Sequence, residues 1–305
     1  MFAYYFIQTM GFEKADVPFL KRDYIHSIPV RYPIPPTQRK IAAILSPYDY
    51  LIENNLRRIE ILEKMVQTIY RQWFINFRFP GHQKAKVVDS SFGKIPEGWE
   101  ISTVFEVSRI YRGRSYNRKH LVEEGGLPLV NIKCIKLDGG FRIDSLKRYI
   151  GPYNESQKVF GGDIVIAVKG MNQKRSVIAQ VARVPRHIGK LGVISCDLVR
   201  IGPRSEYYSE YLYGMFRYSG FSADVIKEAS GFNILSINPE IIMNHRFLNP
   251  TRELRVQYAQ IVNDIYEKSD IIEKENINLR QTRDLLLPKL ISGELDVSEI
   301  DINIP

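Results

Sequence analysis

Two stretches of the chain carry a hydrophobic repeat that is typical of long helices packed side by side. In residues 36–80 the repeat positions alternate at spacings of four and three residues. This is the a/d pattern of a coiled-coil seam, and it predicts one helix that begins at Pro36-Thr37 and ends at Pro80-Gly81. The predicted helix-helix interface residues are Ile41, Leu45, Tyr48, Ile52, Asn55, Ile59, Leu62, Val66 and Ile69.

Residues 251–292 predict a second long helix, closed by Pro288 and Gly293 and followed by an acidic tail at 293–305. Its companion seam positions are more polar and include Asn276 and Arg283. Polar seam residues weaken a coiled coil but fix its register and partner, so we expect a specified pairing. The predicted interface residues, one every seven positions, are Tyr258, Ile265, Ile272, Leu279 and Leu286.

The segment between the helices, residues 81–250, has a different pattern. Short β-rich runs such as DIVIAV and VISCDLVRI are separated by Gly, Pro and Asn, and a tyrosine-rich stretch at 205–221 is typical of a packed helix. The whole chain therefore predicts an α+β fold, in which a globular mixed α/β domain is flanked by two long coiled-coil-forming helices.

The chain also repeats itself. FAYYFIQTMGF at residues 2–12 resembles YLYGMFRYSGF at 211–221, and each stretch is followed by Pro-Thr and then a long helix. This shared order indicates that residues 1–35 are the C-terminal remnant of a first copy of the globular domain. Most of that first copy is expected to be missing.

Composition narrows the class of partner. Lys and Arg number 43 against 34 acidic residues, and the resulting charge of +9 favours a polyanion such as double-stranded DNA. The two cysteines lack CxxC spacing, so we expect neither a disulfide framework nor a zinc site, and a reduced cytoplasmic location fits. No apolar run has the length of a membrane span, so no membrane partner is expected.

Cations beside aromatic and amide side chains are typical of DNA contact, because cations bind phosphates and flat polar groups read base edges. Three loops of the globular segment offer this mixture. The alternative reading is a solvated face for the first, an ordinary surface hairpin for the second and a structural turn for the third. The predicted DNA-binding residues of the first loop are Arg109, Arg112, Arg114, Tyr116, Asn117, Arg118 and Lys119. Those of the second and third loops are Lys169, Asn172, Gln173, Lys174, Arg175 and Asn233.

Motifs for catalysis do not emerge from the sequence. Asn249-Pro250-Thr251 does not complete an adenine methyltransferase motif, and the segment from Gly162 to Lys169 does not fit a P-loop. The five histidines are scattered, without the spacing of metal ligands or of a catalytic triad. We therefore predict no catalytic residue, no metal and no cofactor, and interpret the chain as a non-enzyme.

Several stretches resemble the specificity subunits of Type I restriction-modification systems. IPVRYPIPPTQRKIAAILSPYDYLIENNLRRIE is similar to the start of the family's central conserved helix, and YRQWFINFRFPG to its end. KIPEGWEISTVFEVSRI is similar to the entry of a target-recognition domain, and LLLPKLISGELDV to the end of the distal conserved helix. The chain departs from the family pattern in its first recognition domain, of which only residues 1–35 remain.

The resemblance implies a sequence-specific DNA-binding subunit whose recognition domain, residues 81–250, reads one half-site. Methylation and ATP-dependent cleavage would belong to partner modification (methyltransferase) and restriction subunits, with the helices as a spacer. A homodimer, or a second polypeptide, would supply the other half-site. The alternative hypothesis is a truncated decoy or coiled-coil adaptor that binds partner subunits without reading DNA.

Overall fold

The computed structural model describes residues 1–9, 32–171 and 176–300. Two compact units divide the chain, one made of Met1–Ile61 with Ile271–Pro305 and the other of Leu62–Asp270. The predicted fold class is confirmed, since a mixed α/β segment lies between two long helices. The α-helices are α1 (Phe2–Thr9), α2 (Pro35–Tyr70), α3 (Val104–Val107), α4 (Ser209–Tyr218), α5 (Phe221–Val225), α6 (Pro239–Asn244) and α7 (Arg252–Ser292).

The ends of the long helices differ from the expected ones. Helix α2 passes into a π-helical turn, Arg71–Ile75, and the helical segment ends there, ahead of Pro80-Gly81. The wider π-turn brings two consecutive aromatic residues, Trp73 and Phe74, into the core. Helix α7 continues through Pro288, so the expectation that this proline closes the helix is wrong. Gly293, with a φ of 82°, follows its last residue.

Leu62–Asp270 contains two larger sheets and three two-stranded ribbons. The strand orders are β11-β9-β13-β4 and β5-β7-β6-β12-β8, and the ribbons are β1-β2, β3-β15 and β10-β14. Only the β6–β12 pair is parallel among the described strands. The strands are β1 (Val87–Ser90), β2 (Gly93–Pro96), β3 (Glu100–Thr103), β4 (Ser108–Arg112), β5 (Leu121–Val122), β6 (Leu127–Val130), β7 (Lys147–Tyr149), β8 (Lys158–Val159), β9 (Ile164–Ala167), β10 (Lys169–Met171), β11 (Val181–Arg183), β12 (Gly192–Ile194), β13 (Leu198–Pro203), β14 (Ile234–Ser236) and β15 (Arg246–Asn249).

Strand β9, an interior strand of the four-stranded sheet, is buried on both faces. Successive side chains of a strand point to opposite faces, and in β9 Ile164 and Ile166 join an aromatic core while Val165 and Ala167 join a smaller aliphatic one. All four residues are at most 2% exposed, which explains why this strand has a continuous apolar run rather than an alternating one.

The aromatic core of this unit includes the adjoining ends of both long helices. Phe74 lies 5.0 Å from Tyr258 and 4.8 Å from Tyr211, measured between ring centroids, both in edge-on geometry. Two arginines of the domain add ionic contacts to α7: Arg183 lies 3.4 Å from Asp270, and Arg186 pairs with Glu267. These contacts fix the globular segment to the adjoining end of α7.

The unit made of Met1–Ile61 and Ile271–Pro305 is built around an apolar cluster that includes Tyr5, Leu45 and Leu290. Farther along the same two helices, buried polar residues are also in contact. Asn55 Nδ2 donates to Asn276 Oδ1 at 3.1 Å, and both residues are buried. Arg283 pairs with Asp49, which also accepts a hydrogen bond from the Tyr5 hydroxyl.

Candidate nucleic-acid interface

The first predicted DNA-binding segment is part strand and part loop. We expected a loop from Arg109 to Lys119, but residues 108–112 form β4 and pair with β13. The reason is that Tyr111 and Ile110 pair with Arg200 and Ile201, so a sheet ladder satisfies their backbone groups. Alternation then places the side chains of Arg109 and Arg112 on opposite faces of the sheet. Both arginines are exposed.

After β4 the chain crosses closely over the segment that precedes β13. The Arg114 backbone N–H donates to the Ile194 carbonyl at 3.0 Å, and the Cys196 N–H donates to the Arg114 carbonyl at 2.9 Å. A Cβ atom on Gly113 would lie 1.9 Å from the Ser195 carbonyl oxygen, so only glycine fits this crossing. Arg114, which is half-buried, is therefore held on a fixed backbone.

The second predicted segment meets the first at Cys196. Ser115 Oγ donates to Cys196 Sγ at 3.3 Å, and Lys169 Nζ lies 3.8 Å from the same sulfur. Lys169 also lies 3.7 Å from the Asp197 carboxylate. The segments around residues 115 and 169, far apart in sequence, are therefore neighbours.

The third predicted segment joins the same cluster through backbone pairing. Strand β10 pairs with β14, with Lys169 opposite Ser236. Ser230 and Ser236 exchange two backbone hydrogen bonds, at 3.0 and 2.7 Å, which close the loop that carries Asn233. The side chain of Asn233 is exposed. The structure thus brings described parts of all three segments together.

The remainder of the first segment is a short, exposed basic turn. The Asn117 side chain accepts a hydrogen bond from the Lys119 backbone N–H at 3.0 Å and caps a 3₁₀ turn, Arg118–His120. Asn117, Arg118 and Lys119 are exposed, and Lys147 lies 5.8 Å from the centroid of the Tyr116 ring. These cations are accessible to a large partner.

Four of the predicted DNA-binding residues, Asn172, Gln173, Lys174 and Arg175, lie outside the described residues. The DNA-binding role of every predicted residue stays a prediction. The predicted helix-seam residues are all buried or half-buried, and their assignment as a spacer interface also stays a prediction.

Sequence reasoning missed an arginine-lined cavity at the edge of the four-stranded sheet. It has a volume of about 520 Å³, and its lining includes Arg109, Arg204, Arg200 and Asp163. Arg200 lies 3.5 Å from Asp163 and stacks on Tyr111, 4.1 Å from the ring centroid. Burial raises the pKa of the Asp163 carboxyl, against the lowering effect of the Phe160 N–H and of Arg200. The alternation of Arg200 with buried Val199 and Ile201 was the signal that one face of β13 is polar.

Comparison with known proteins gives a consistent picture. No protein-family model matches the chain. The specificity subunit of the Type I restriction enzyme MjaIX from Methanocaldococcus jannaschii is 26% identical, over 93% of this chain and 64% of that protein. The specificity subunit of the HindI enzyme from Haemophilus influenzae is 24% identical, over 95% of this chain and 74% of that protein.

The chain is a homologue of Type I specificity subunits. The predicted resemblance is confirmed, and it extends through the globular segment and both long helices. A crystal structure of a Type I restriction-modification S subunit from M. genitalium has the same fold, with a TM-score of 0.54 and 19% identity. That match covers 85% of this chain and 61% of the other. This chain therefore spans less than two thirds of the length of the MjaIX specificity subunit and of the crystallised subunit.

None of the helices in the described ranges is both long and apolar enough to cross a membrane.

Proposed function

We propose that this chain is a non-catalytic specificity subunit that reads the sequence of double-stranded DNA for a Type I restriction-modification complex. The observation that carries the proposal is the meeting of three cationic or amide-bearing segments around Cys196. The similarity to specificity subunits over most of the chain supports the same function. Residues 81–250 form the reading domain, and residues 36–80 and 251–292 its helical supports.

Within this surface the residue types divide the work of recognition. Exposed cations, such as Arg112, Arg118 and Lys119, supply phosphate contacts that orient the domain on the duplex. The exposed amide of Asn233 has the donor and acceptor pair that matches an adenine edge in the major groove, whereas Asn117, whose Oδ1 caps the Arg118–His120 turn, offers its Nδ2 as a donor. Arg114, on its fixed backbone, is suited to a guanine edge.

The long helices serve as the spacer and as the docking surface for modification subunits, through which restriction subunits join. One copy reads one half-site, and a homodimer supplies two. The buried Asn55–Asn276 pair supports this role, because a polar pair in a seam selects one register and hence one spacing.

Selection from a randomised pool of duplexes tests the reading function. The full chain, alone and with its cognate modification subunit, is used to enrich DNA, and affinity is then measured at several salt concentrations. Neutralising about 6 to 10 phosphates should cost about 10³- to 10⁵-fold in affinity between 50 and 200 mM salt.

Replacing Arg112 and Arg114 together with alanine should abolish specific binding while leaving assembly with the modification subunit intact. The double variant Lys86→Ala/Lys94→Ala is the matched control, since it removes the same charge at two exposed lysines elsewhere in the domain. Equal loss in both doubles would show a diffuse charge effect. Enrichment of no sequence, with the modification subunit still bound, would instead identify the chain as a decoy or adaptor.

A further inference from the structure

The arginine-lined cavity at the edge of the four-stranded sheet has the size and the charge of a ligand site. Its volume of about 520 Å³ lies within the range of about 300–1,000 Å³ that is typical of small-molecule sites. Arg109, Arg200 and Arg204 line it, together with the single carboxylate of Asp163. Three guanidinium groups against one carboxylate leave two positive charges in excess, so the cavity attracts an anion.

Within the described part of the chain, only one of these three arginines is paired with an acid. Arg200 lies 3.5 Å from the Asp163 carboxylate, whose Oδ2 also accepts a hydrogen bond from the Phe160 N–H at 2.8 Å. Arg204 Nη2 donates to a neutral acceptor, the Phe105 carbonyl, at 3.3 Å. The exposed side chain of Arg109 makes no hydrogen bond or ion pair with the described residues. Two cations at the cavity therefore have no acidic partner in that part of the chain.

The third cation, Arg200, is largely buried and held in one position. Its guanidinium lies 4.1 Å from the centroid of the Tyr111 ring. The ring in turn lies against Gly202, where a Cβ atom would be 2.6 Å from a ring carbon, so only glycine leaves room for it. Arg200 Nε is buried without a hydrogen-bond acceptor among the described residues. A buried donor without an acceptor costs free energy, and an anion in the cavity would bring acceptors to Arg200.

We propose that this cavity is a phosphate-binding site. The planar fork of a guanidinium matches two phosphate oxygens, and the further oxygens of the same phosphate can accept from a second and a third arginine. A carboxylate has only two oxygens and carries less charge. The phosphate is supplied by the backbone of a bound duplex or by a free phosphate or nucleotide, which share this chemistry. The site goes beyond the proposed function, and only its occupation by a duplex rests on that function.

Labelling of arginines with phenylglyoxal, read by peptide mass spectrometry, tests the site in the full chain. Inorganic phosphate is compared with chloride at equal ionic strength. At ten times its dissociation constant, phosphate should slow the labelling of Arg109 and Arg204 about tenfold. Arg78 and Arg142 are exposed elsewhere in the same unit, so they are internal controls whose labelling should not change.

The variant Arg109→Ala tests whether the arginines act on one ligand. Because Arg109 is exposed, its loss should leave the fold intact, which circular dichroism checks. Phosphate protection of Arg204 should then require about 10- to 150-fold more phosphate, the range for loss of a hydrogen bond to a charged group. Arg142→Ala is the matched control and should leave that protection at the wild-type value.

The duplex that wild-type protein selects distinguishes the two sources of phosphate. If the DNA backbone occupies the cavity, this duplex should protect Arg109 and Arg204 in chloride buffer. Arg109→Ala/Arg204→Ala should then reduce the slope of log affinity against log salt by about one, since one phosphate contact is lost. Protection by inorganic phosphate and not by the duplex would assign the site to a free phosphate or nucleotide.

Two results would overturn the site. One is unchanged labelling of Arg109 and Arg204 in inorganic phosphate and in the duplex alike. The other is equal protection of Arg78 and Arg142, which would show general screening of cations. Neither result bears on the proposed function. Enrichment of no sequence by wild-type protein would overturn that function, and the measurement with inorganic phosphate would still decide the site.

Discussion

The two long helices contact each other in different ways in the two units. In Leu62–Asp270 their contact is aromatic, and Trp73, Phe74 and Tyr258 pack with ring centroids 5.0 to 6.1 Å apart. In the other unit, between its apolar cluster and the unit boundary, the stretch that holds buried Ile52 and Ile272 also contains a buried polar pair, Asn55 and Asn276. We infer that the aromatic segment of these two helices contributes mainly to stability and that the polar pair contributes mainly to the choice of register.

The physical costs of the two segments differ accordingly. Large aromatic side chains gain free energy roughly in proportion to the apolar area that they remove from water, and edge-on ring pairs add to it. A buried amide pair roughly replaces hydrogen bonds to water, and Asn276 Nδ2 has no hydrogen-bond partner among the described residues. Such a pair gives little stability, but a shift in register would leave both amides unpaired, which penalises other alignments.

The largest expected effect comes from the aromatic segment. Phe74→Ala removes a ring that is 3% exposed and should lower the free energy of unfolding by about 3–5 kcal/mol, since the neighbouring rings can only partly fill the cavity. Chemical denaturation monitored by circular dichroism measures it. Phe92→Ala, at a site 44% exposed, should change stability by less than about 0.5 kcal/mol. Similar losses in the two variants would contradict the assignment of stability to the aromatic segment.

A smaller effect is expected in the polar segment. Asn55→Ala leaves the buried Asn276 amide without its partner and should cost about 1–3 kcal/mol. The neighbouring Asn54 is exposed, so Asn54→Ala is a control with the same change of residue type on the same helix. Equal melting temperatures in the two variants would show that the amide pair does not contribute to the stability of the folded protein.

The smallest change in stability, and the sharpest separation of the two roles, is expected when both amides are replaced. Asn55→Leu with Asn276→Leu removes the polar pair without leaving an orphan and should be neutral or slightly stabilising. The double variant should lose its single defined assembly. Light scattering should then show mixed oligomeric states where wild type gives one. A double variant with one state, identical to wild type, would remove register selection from the account.

The sequence predicts two polar positions on the helix seam. The four-and-three spacing of the first helix predicts Asn55 on the seam, and the sevenfold spacing of the second predicts Asn276; both side chains are buried. The pairing of these two amides with each other was not readable, because it joins positions 221 residues apart. The π-turn at Arg71–Ile75 was also missed, since it arises from aromatic packing and leaves no local signature.

For the candidate DNA surface, too, the sequence predicts the residue types but not their arrangement in space. Its residue types were predicted from the run of cations and amides, but their convergence depends on the pairing of β10 with β14 and on the crossing at Gly113. Both are long-range contacts. Arg109 and Arg112 were expected in one loop, and the strand instead directs them to opposite faces because of pairing with β13.

Thiol labelling tests the convergence around Cys196 most directly. Cys196 is half-buried beside Ser115 and Lys169, whereas Cys134 is fully buried, and burial raises the pKa of the Cys134 thiol to about 11. A maleimide should therefore label Cys196 first, and Cys134 is an internal control for global unfolding. We expect the selected duplex to slow labelling of Cys196 strongly, and a duplex of unrelated sequence to slow it little. Undiminished labelling of Cys196 at saturating specific DNA would contradict the claim that the three segments form one DNA-reading surface.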